Sequence, residues 1–311
     1  MNAISTKTMS HDDWLSVRTT GIGGSDAPAI MGVSPFLSLV QLYLLKTGQA
    51  KSNAETAKTR AGHAMEAVIA NLYRAETGHF VRRDLKVRIH PEHRFLLVNL
   101  DRVILGDPRG VGILECKNTS SQFLRRYEQE GYELPPSWYT QVQHAMMVTG
   151  YAWAEVAAYV DGWELRIFPV ARDEAFIREL QAREIRFWRE NVKRRVPPAP
   201  ESAEDVLKLF PRSDLGKAVE ASVKLRDQVS RLREIRERLV PLESERKVIE
   251  DAIKSFMQDA EVLTAGGAVL ATWKSAKDSE RFDAERFVAE LPTLYREYQI
   301  TVPGSRRLLL K

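Results

Sequence analysis

Apolar residues three and four apart run through "SLVQLYLLKTG" (38–48) and "GHAMEAVIANLYRAETG" (62–78), and each run ends at glycine. Both are therefore expected to be helices. The pattern then turns β-like in "FVRRDLKVRI" (80–89), "RFLLVNLDRVIL" (94–105) and "VGILECK" (111–117), with "GDPRG" as the turn between the last two. "SWYTQVQHAMMVTG" (137–150) reads as a helix closing on Gly150, and "WAEVAAYV" (153–160) with "WELRIFPV" (163–170) as a hairpin around Asp161-Gly162. "DEAFIRELQAREIRFWRENV" (173–192) is a further amphipathic helix.

Three prolines in "KRRVPPAPESAED" (193–205) stop any helix or central strand and predict a boundary. The expected organisation is an α/β domain over residues 1–198, a linker over 199–214, and a mainly helical extension with a small α+β end over 215–311. In that extension, residues 215–258 carry Leu225, Val229, Leu232, Leu239, Leu242, Ile249, Ile253 and Phe256, the spacing of a long coiled-coil-like helix or helical hairpin. Pro241 is the place expected to kink or break it. "VLATWKSA" (269–276) reads as a strand, "DAERFVAELPTLYREY" (283–298) as a helix interrupted before Pro292, and "SRRLLLK" (305–311) as a final strand.

One strand departs from its apolar surroundings. In "ILECKNTS" (113–120), Glu115 and Lys117 alternate with Cys116, so they share a face with Ile113 while Leu114 and Cys116 point the other way. An exposed ion pair accounts for most such tripeptides. Upstream, however, Asp101 follows the apolar run "FLLVNL". Pairing of the two segments across "GDPRG" would set Asp101 beside Glu115. Two carboxylates and a carbonyl oxygen suit a hard cation such as Mg²⁺, and an adjacent lysine can orient water or offset charge on a phosphate.

Composition narrows the partners. The chain has 311 residues, 44% hydrophobic and 28% charged, enough for about two domains with a sizeable core. No apolar run approaches the roughly 18 residues that span a bilayer, and the N-terminus lacks a leader pattern, so the expected compartment is the cytoplasm. A single cysteine excludes an internal disulfide and four-cysteine metal sites. The net charge of +4, with basic runs at Arg82-Arg83, Arg125-Arg126, Lys193–Arg195 and Arg306-Arg307, is compatible with nucleic acid, though solvated surface explains any one run. His63 and His144 make no metal-ligand pattern, and Trp138 and Tyr139 suit a core as well as a base-stacking role.

Together these stretches resemble the PD-(D/E)xK nuclease superfamily, and within it the lambda exonuclease / YqaJ-type viral recombinases. "RTTGIGGSDAPAIMGVSPFLSLVQLYLLKTG" (18–48) resembles that branch's N-terminal signature. The other matching stretches are "GHAMEAVIANLYRAETG", "YTQVQHAMMVTG" and "RDEAFIRELQAREIRFW", in order around the charged strand over about residues 13–198. The resemblance implies a restriction-endonuclease-like core, a central mixed β-sheet flanked by helices. It implies that Asp101, Glu115 and the backbone carbonyl of Cys116 bind the catalytic Mg²⁺ (or Mn²⁺), and that Glu66 faces the same site, favouring two ions. Lys117 would position the attacking water, and Gln141 would contact the scissile phosphate or the nucleophile. Arg18 and Ser25 match positions that grip a 5′-phosphate; "GIGGSD" offers a glycine turn and places Ser25 where a helix N-cap would favour an anion. One departure is Arg102, where the family usually has glycine after the metal aspartate.

The activity so implied is 5′–3′ digestion of double-stranded DNA ends, leaving 3′ single strands for a single-strand annealing protein, in a phage- or prophage-encoded system. A ring-shaped trimer is the assembly known in the branch. A structure-specific endonuclease or junction resolvase with the same metal site is the alternative. A DNA-binding or scaffolding module without chemistry is a third reading.

Overall fold

Caps and glycines decide where the elements begin and end. In a computed structural model covering residues 3–50, 57–302 and 304–310, β1 (Ala3–Ser5) leads into α1 (His11–Thr19), capped by Ser10. A four-residue α2 (Ala27–Ile30) follows, then α3 (Leu39–Lys46), where Ser38 and Gln41 form a reciprocal capping box. The long α4 (Ala57–Thr77) precedes four short strands, β2 (Phe80–Arg83), β3 (Lys86–Ile89), β4 (Leu97–Asn99) and β5 (Arg102–Leu105), then β6 (Gly112–Thr119). Next come α5 (Ser121–Gln129) and α6 (Pro136–Thr149), which ends at Gly150 in the left-handed region (φ 75°). The hairpin β7 (Trp153–Val160) and β8 (Glu164–Ala171) leads into α7 (Glu174–Arg186), which continues as a π-helical turn over Phe187–Lys193.

The main sheet has the order β2-β5-β6-β7-β8, with β6 and β7 parallel and every other neighbour antiparallel. A mixed central sheet flanked by helices is the architecture expected. Alternation along β6 builds the two cores. Ile113 packs with Val142 and Met146 of α6, whereas Leu114 and Cys116 pack with Ile69 and Tyr73 of α4. β7 is buried almost throughout, as a parallel strand covered on both faces must be. A buried Ile, Leu, Val or Met in these two cores contributes about 1.5–3 kcal/mol.

The small sheet β1-β3-β4 required a correction of the pattern reading. "FVRRDLKVRI" and "RFLLVNLDRVIL", each read as a single β segment, are each two strands in different sheets. The chain changes sheet at Asp84-Leu85 and again at Leu100-Asp101. At the first change, Asp84 accepts from Arg88 Nε at 2.6 Å, which holds the break. Apolar periodicity alone does not register such a switch, because both strands remain apolar on alternate positions. The "GIGG" loop is stitched to β4: Ile22 N–H donates to the Phe95 carbonyl (2.7 Å), and Leu97 N–H to the Ile22 carbonyl (2.8 Å). Phe95 is itself stacked on Trp188 from the π-helical turn, with centroids 5.3 Å apart.

Two compact units result, Met1–Phe210 and Pro211–Lys311. The segment 199–214, expected to be a linker, contains α8 (Ala203–Leu209). Its buried Asp205 accepts from the Ser38 hydroxyl (2.5 Å), and Glu204 from Gln41 (3.3 Å). In the second unit, α9 (Val223–Met257) is the long helix of the two alternatives expected, and it is not broken at Pro241, where a kink or break was expected. An interior proline loses one backbone bond and crowds the preceding turn, at about 3 kcal/mol, and the Leu, Ile, Glu and Arg of the remaining turns favour helix on both sides of it. β9 (Val262–Ala265) and β10 (Ala268–Thr272) form a hairpin, and α10 (Ala284–Glu290) and α11 (Pro292–Glu297) part at Leu291. Residues 304–310 form no strand, and Lys311 lies outside the described residues. Among the described residues, no helix is long and apolar enough to cross a membrane.

Gly21 is the tightest point of the stitched loop. A Cβ there would lie 2.3 Å from the Phe95 carbonyl oxygen, a backbone atom that cannot step aside. Gly21→Ala should therefore destabilise the protein by about 1–3 kcal/mol, the usual cost of overpacking, read as a fall in the urea midpoint with unchanged slope.

Candidate active site

The residue pair Arg102–Leu114 is the last in the β5–β6 ladder on this side, so Asp101 stands opposite Glu115 one step further on, at the sheet change. Instead of a ladder bond, the Cys116 N–H donates to Asp101 Oδ2 at 2.9 Å. A strand residue directs its N–H and C=O to the same edge, so the Cys116 carbonyl faces the edge where Asp101 sits. On the α6 face of β6, Lys117 Nζ donates to Glu115 Oε1 and to Gln141 Oε1, both at 2.8 Å. Gln141 Nε2 in turn donates to the same Glu115 oxygen at 2.5 Å.

All eight residues nominated from the sequence (Arg18, Ser25, Glu66, Asp101, Glu115, Cys116, Lys117 and Gln141) line one cavity of about 370 Å³. A second cavity of about 500 Å³, lined in part by Arg83 and Arg102, shares Glu66 and Asp101 with it. Arg102 folds back to donate to its neighbour's carbonyl, Asp101 O, at 2.6 Å, so it braces the bend where the family usually has glycine. Glu66 reaches the cavity from α4 but is bonded to His63 Nδ1 at 2.9 Å.

Electrostatically the site is strained. Burial raises the Asp101 carboxyl well above its usual range, and the charges of Glu115 and Glu66 raise it further, against the Cys116 N–H and Lys117. Burial alone would lower Lys117, but Glu115 and Asp101 outweigh it and hold the ammonium above its usual value. Burial also pushes the Cys116 thiol far up, so its sulfur is a neutral thiol and only its backbone oxygen is a candidate ligand. With all three carboxylates ionised, one ammonium would leave two negative charges unbalanced, which is the repulsion that, after burial, raises Asp101. Two of those carboxylates and a main-chain carbonyl form a hard-oxygen donor set that fits a divalent cation. Among the described residues, no three His, Cys, Asp or Glu side chains form a ready-made cage.

The Arg18–Ser25 end of the cavity differs from expectation in one respect. Ser25 is not a helix N-cap. Asp26 precedes the four-residue α2, and the Ser25 hydroxyl accepts from Arg18 at 2.5 Å. Arg18 also lies over the Trp14 ring, 4.7 Å from its centroid. Pattern reading missed Asp26 and Lys46 as positioning residues. They form a buried ion pair at 2.6 Å; Asp26 also accepts from Gly23 N–H, and Lys46 donates to the Arg18 carbonyl (2.8 Å), tying the glycine loop to the end of α1. Nothing in the local sequence pairs two residues twenty positions apart. Trp138 is buried against Phe123, and Tyr139 donates to Asp173, so both serve the core. Gln143 satisfies the Ala171 carbonyl and the Asp173 N–H.

Behind Gln141, the fully buried His144 anchors α6. Its Nε2 donates to the Leu97 carbonyl (2.9 Å), and its Nδ1 lies 2.8 Å from Glu184 Oε1. Gly24 packs against the same helix, where a Cβ would come within 3.3 Å of Gln141 Cγ.

The mixed sheet, the sheet-change aspartate and the paired Glu115 and Lys117 define an α/β protein of restriction-endonuclease-like architecture. Residues 13–152 match the YqaJ-like viral recombinase domain, and the chain is 34% identical over 296 residues to the protein YqaJ of Bacillus subtilis (strain 168), covering 93% of this chain and 91% of that one. The chain belongs to the YqaJ-like viral recombinase family. Among solved structures, an alkaline exonuclease from Laribacter hongkongensis aligns with a TM-score of 0.49 at 20% identity over 59% of this chain and 93% of its own. A phage-related exonuclease from Haemophilus somnus 129PT gives 0.42 and 11%, over 57% and 96%.

The His144–Glu184 pair sets a pH dependence. Glu184 outweighs the effect of burial on His144 and holds the imidazole above its usual value, while burial raises Glu184. A raised histidine contributes stability present in full below its unfolded value of about 6.5 and lost as pH rises through the folded value. Glu184, also raised, acts in the same direction. Urea denaturation should therefore show wild type losing stability as pH rises above about 6.5, with a shallower loss in the His144→Gln/Glu184→Gln protein.

Proposed function

We propose that this chain is a divalent-metal-dependent deoxyribonuclease that digests duplex DNA from its ends, 5′ to 3′. The 3′ strand it leaves would be available to a single-strand annealing protein. The observation that carries the reading is that one cavity holds two different tools: the Asp101–Glu115–Lys117–Gln141 cluster, and the Arg18–Ser25 pair. Family membership supports a recombination role.

Asp101, Glu115 and the Cys116 carbonyl would hold Mg²⁺ or Mn²⁺, with Glu66 available to a second ion when it leaves His63. A bound cation supplies Lewis-acid activation of a phosphoryl oxygen and lowers the pKa of water. This chain's residues do the rest. Lys117, fixed between Glu115 and Gln141, donates a hydrogen bond that orients the attacking water and offsets charge growing on the phosphate. Gln141 holds both Glu115 and Lys117 in place and, as a residue lining the cavity, would contact the scissile phosphate or the nucleophile. Arg18 and the Ser25 hydroxyl offer charge-assisted hydrogen bonds to a terminal phosphate. Arg83 and Arg102, along the adjoining cavity, provide positive charge for the backbone of the strand beyond.

Lys117→Ala should lower cleavage by about 10²–10³-fold or more, the cost of losing a preorganised donor, with DNA affinity nearly unchanged. Arg18→Ala should lose the preference for 5′-phosphorylated over 5′-hydroxyl linear duplex. Incubation with linear and covalently closed circular duplex discriminates the exonuclease reading from an endonuclease. Digestion of the linear form alone is expected; rapid loss of the circle would replace the reading with a structure-specific endonuclease, and no cleavage with either metal would remove the nuclease.

A further inference from the structure

The second unit is nearly without a core. Among its described residues Met257 is the only buried side chain, and α9 exposes apolar residues along 35 residues, about 52 Å at 1.5 Å per residue. Exposed apolar surface of that extent marks an interface. The seam keeps one heptad register from end to end: a positions at 225, 232, 239, 246 and 253, and d positions at 228, 235, 242, 249 and 256. Eight of these ten are Leu, Ile or Phe, the exceptions being Gln228 and Arg246, and Pro241 falls at an outward c position where it does not interrupt the seam.

We propose that α9 pairs with α9 of a second copy of this chain as an antiparallel coiled coil centred between Val240 and Pro241. Charge and layer matching select this occupant and this direction. Run antiparallel, every a position meets a partner d position: Leu225 meets Phe256, Leu232 meets Ile249, and Leu239 meets Leu242. The two polar seam residues never meet each other, since Arg246 faces Ile235 and Gln228 faces Ile253. At the flanks, Arg238 falls beside Glu245 and Arg236 beside Glu243, each pair occurring twice by symmetry. Run parallel, Arg246 would stack on Arg246 in the core, Arg231 would meet Arg236, and Glu245 would meet Glu250. Like charges in those places disfavour that arrangement. In parallel, Arg238 beside Glu243 would be the one favourable flank pair against two like-charged ones, so the basic N-terminal half and net-acidic C-terminal half of α9 match better head to tail. The pairing stands on α9 alone and does not depend on the chemistry of the first unit.

The test uses the full chain, whose one native thiol, Cys116, is buried. In the antiparallel pair Arg238 lies near its own counterpart across the twofold axis, whereas Lys224 and its counterpart are separated by about 50 Å. With a thiol cross-linker spanning about 10 Å, Arg238→Cys should link into dimers and Lys224→Cys should not. Light scattering should give wild type twice the mass of a Leu239→Asp/Leu242→Asp protein, itself checked for folding by its retained nuclease-unit unfolding transition. Reversing both flank pairs (Arg236→Glu/Arg238→Glu/Glu243→Arg/Glu245→Arg) should keep the mass that Arg236→Glu/Arg238→Glu alone loses. Linking of both cysteine variants would mean a parallel pair and overturn the proposal. So would linking of neither with a single-chain mass for wild type, which would assign the seam to a different protein or to other parts of the same chain.

Discussion

Two carboxylates held out of water beside one ammonium are the constraint on which the rest of this molecule turns. Asp101 and Glu115 repel each other, and burial removes the solvent that would screen them. The fold accepts this because the chain changes sheet at Leu100-Asp101. A side chain that would have stood in a ladder is delivered instead to the open edge of β6, where a backbone N–H meets it. Lys117 relieves part of the repulsion but not all of it. Residual negative charge, oxygen donors and no thiolate are what the proposed divalent cation would meet there.

Around this centre, the supporting contacts are rigid and largely buried. α6 is fixed by the His144 bonds to Leu97 and Glu184, which place Gln141 against Glu115 and Lys117. The Asp26–Lys46 pair and the stitched glycine loop fix Arg18 and Ser25 from the other side. The two halves of the site therefore rest on different elements, α6 with β6 and α1 with the "GIGG" loop, joined through β4. Function here costs stability, as preorganised polar sites commonly do.

Much of this was legible in the residues, for identifiable reasons. The two-residue period of a strand put Glu115 and Lys117 on one face with Ile113, and the three-to-four-residue period of a helix marked α4 and α6 with Glu66 and Gln141 on them. The opaque parts were tertiary. Neither break between strands, at Asp84-Leu85 or Leu100-Asp101, disturbs apolar alternation, so the second sheet was invisible. Proline-rich composition hid α8, whose Asp205 is held by Ser38, far away in sequence. Ser25 looked like a cap because glycine and serine precede a helix, yet Asp26 takes that position. Pro241 looked like a break because its cost was weighed without the propensity of the surrounding helix.

The most direct measurement is the location of the cation itself. Crystals soaked in manganese chloride should give an anomalous peak between Asp101 and Glu115, within bonding distance of the Cys116 carbonyl oxygen. A map with no peak there, and with Glu115 still bound only to Lys117 and Gln141, would contradict the account at its centre.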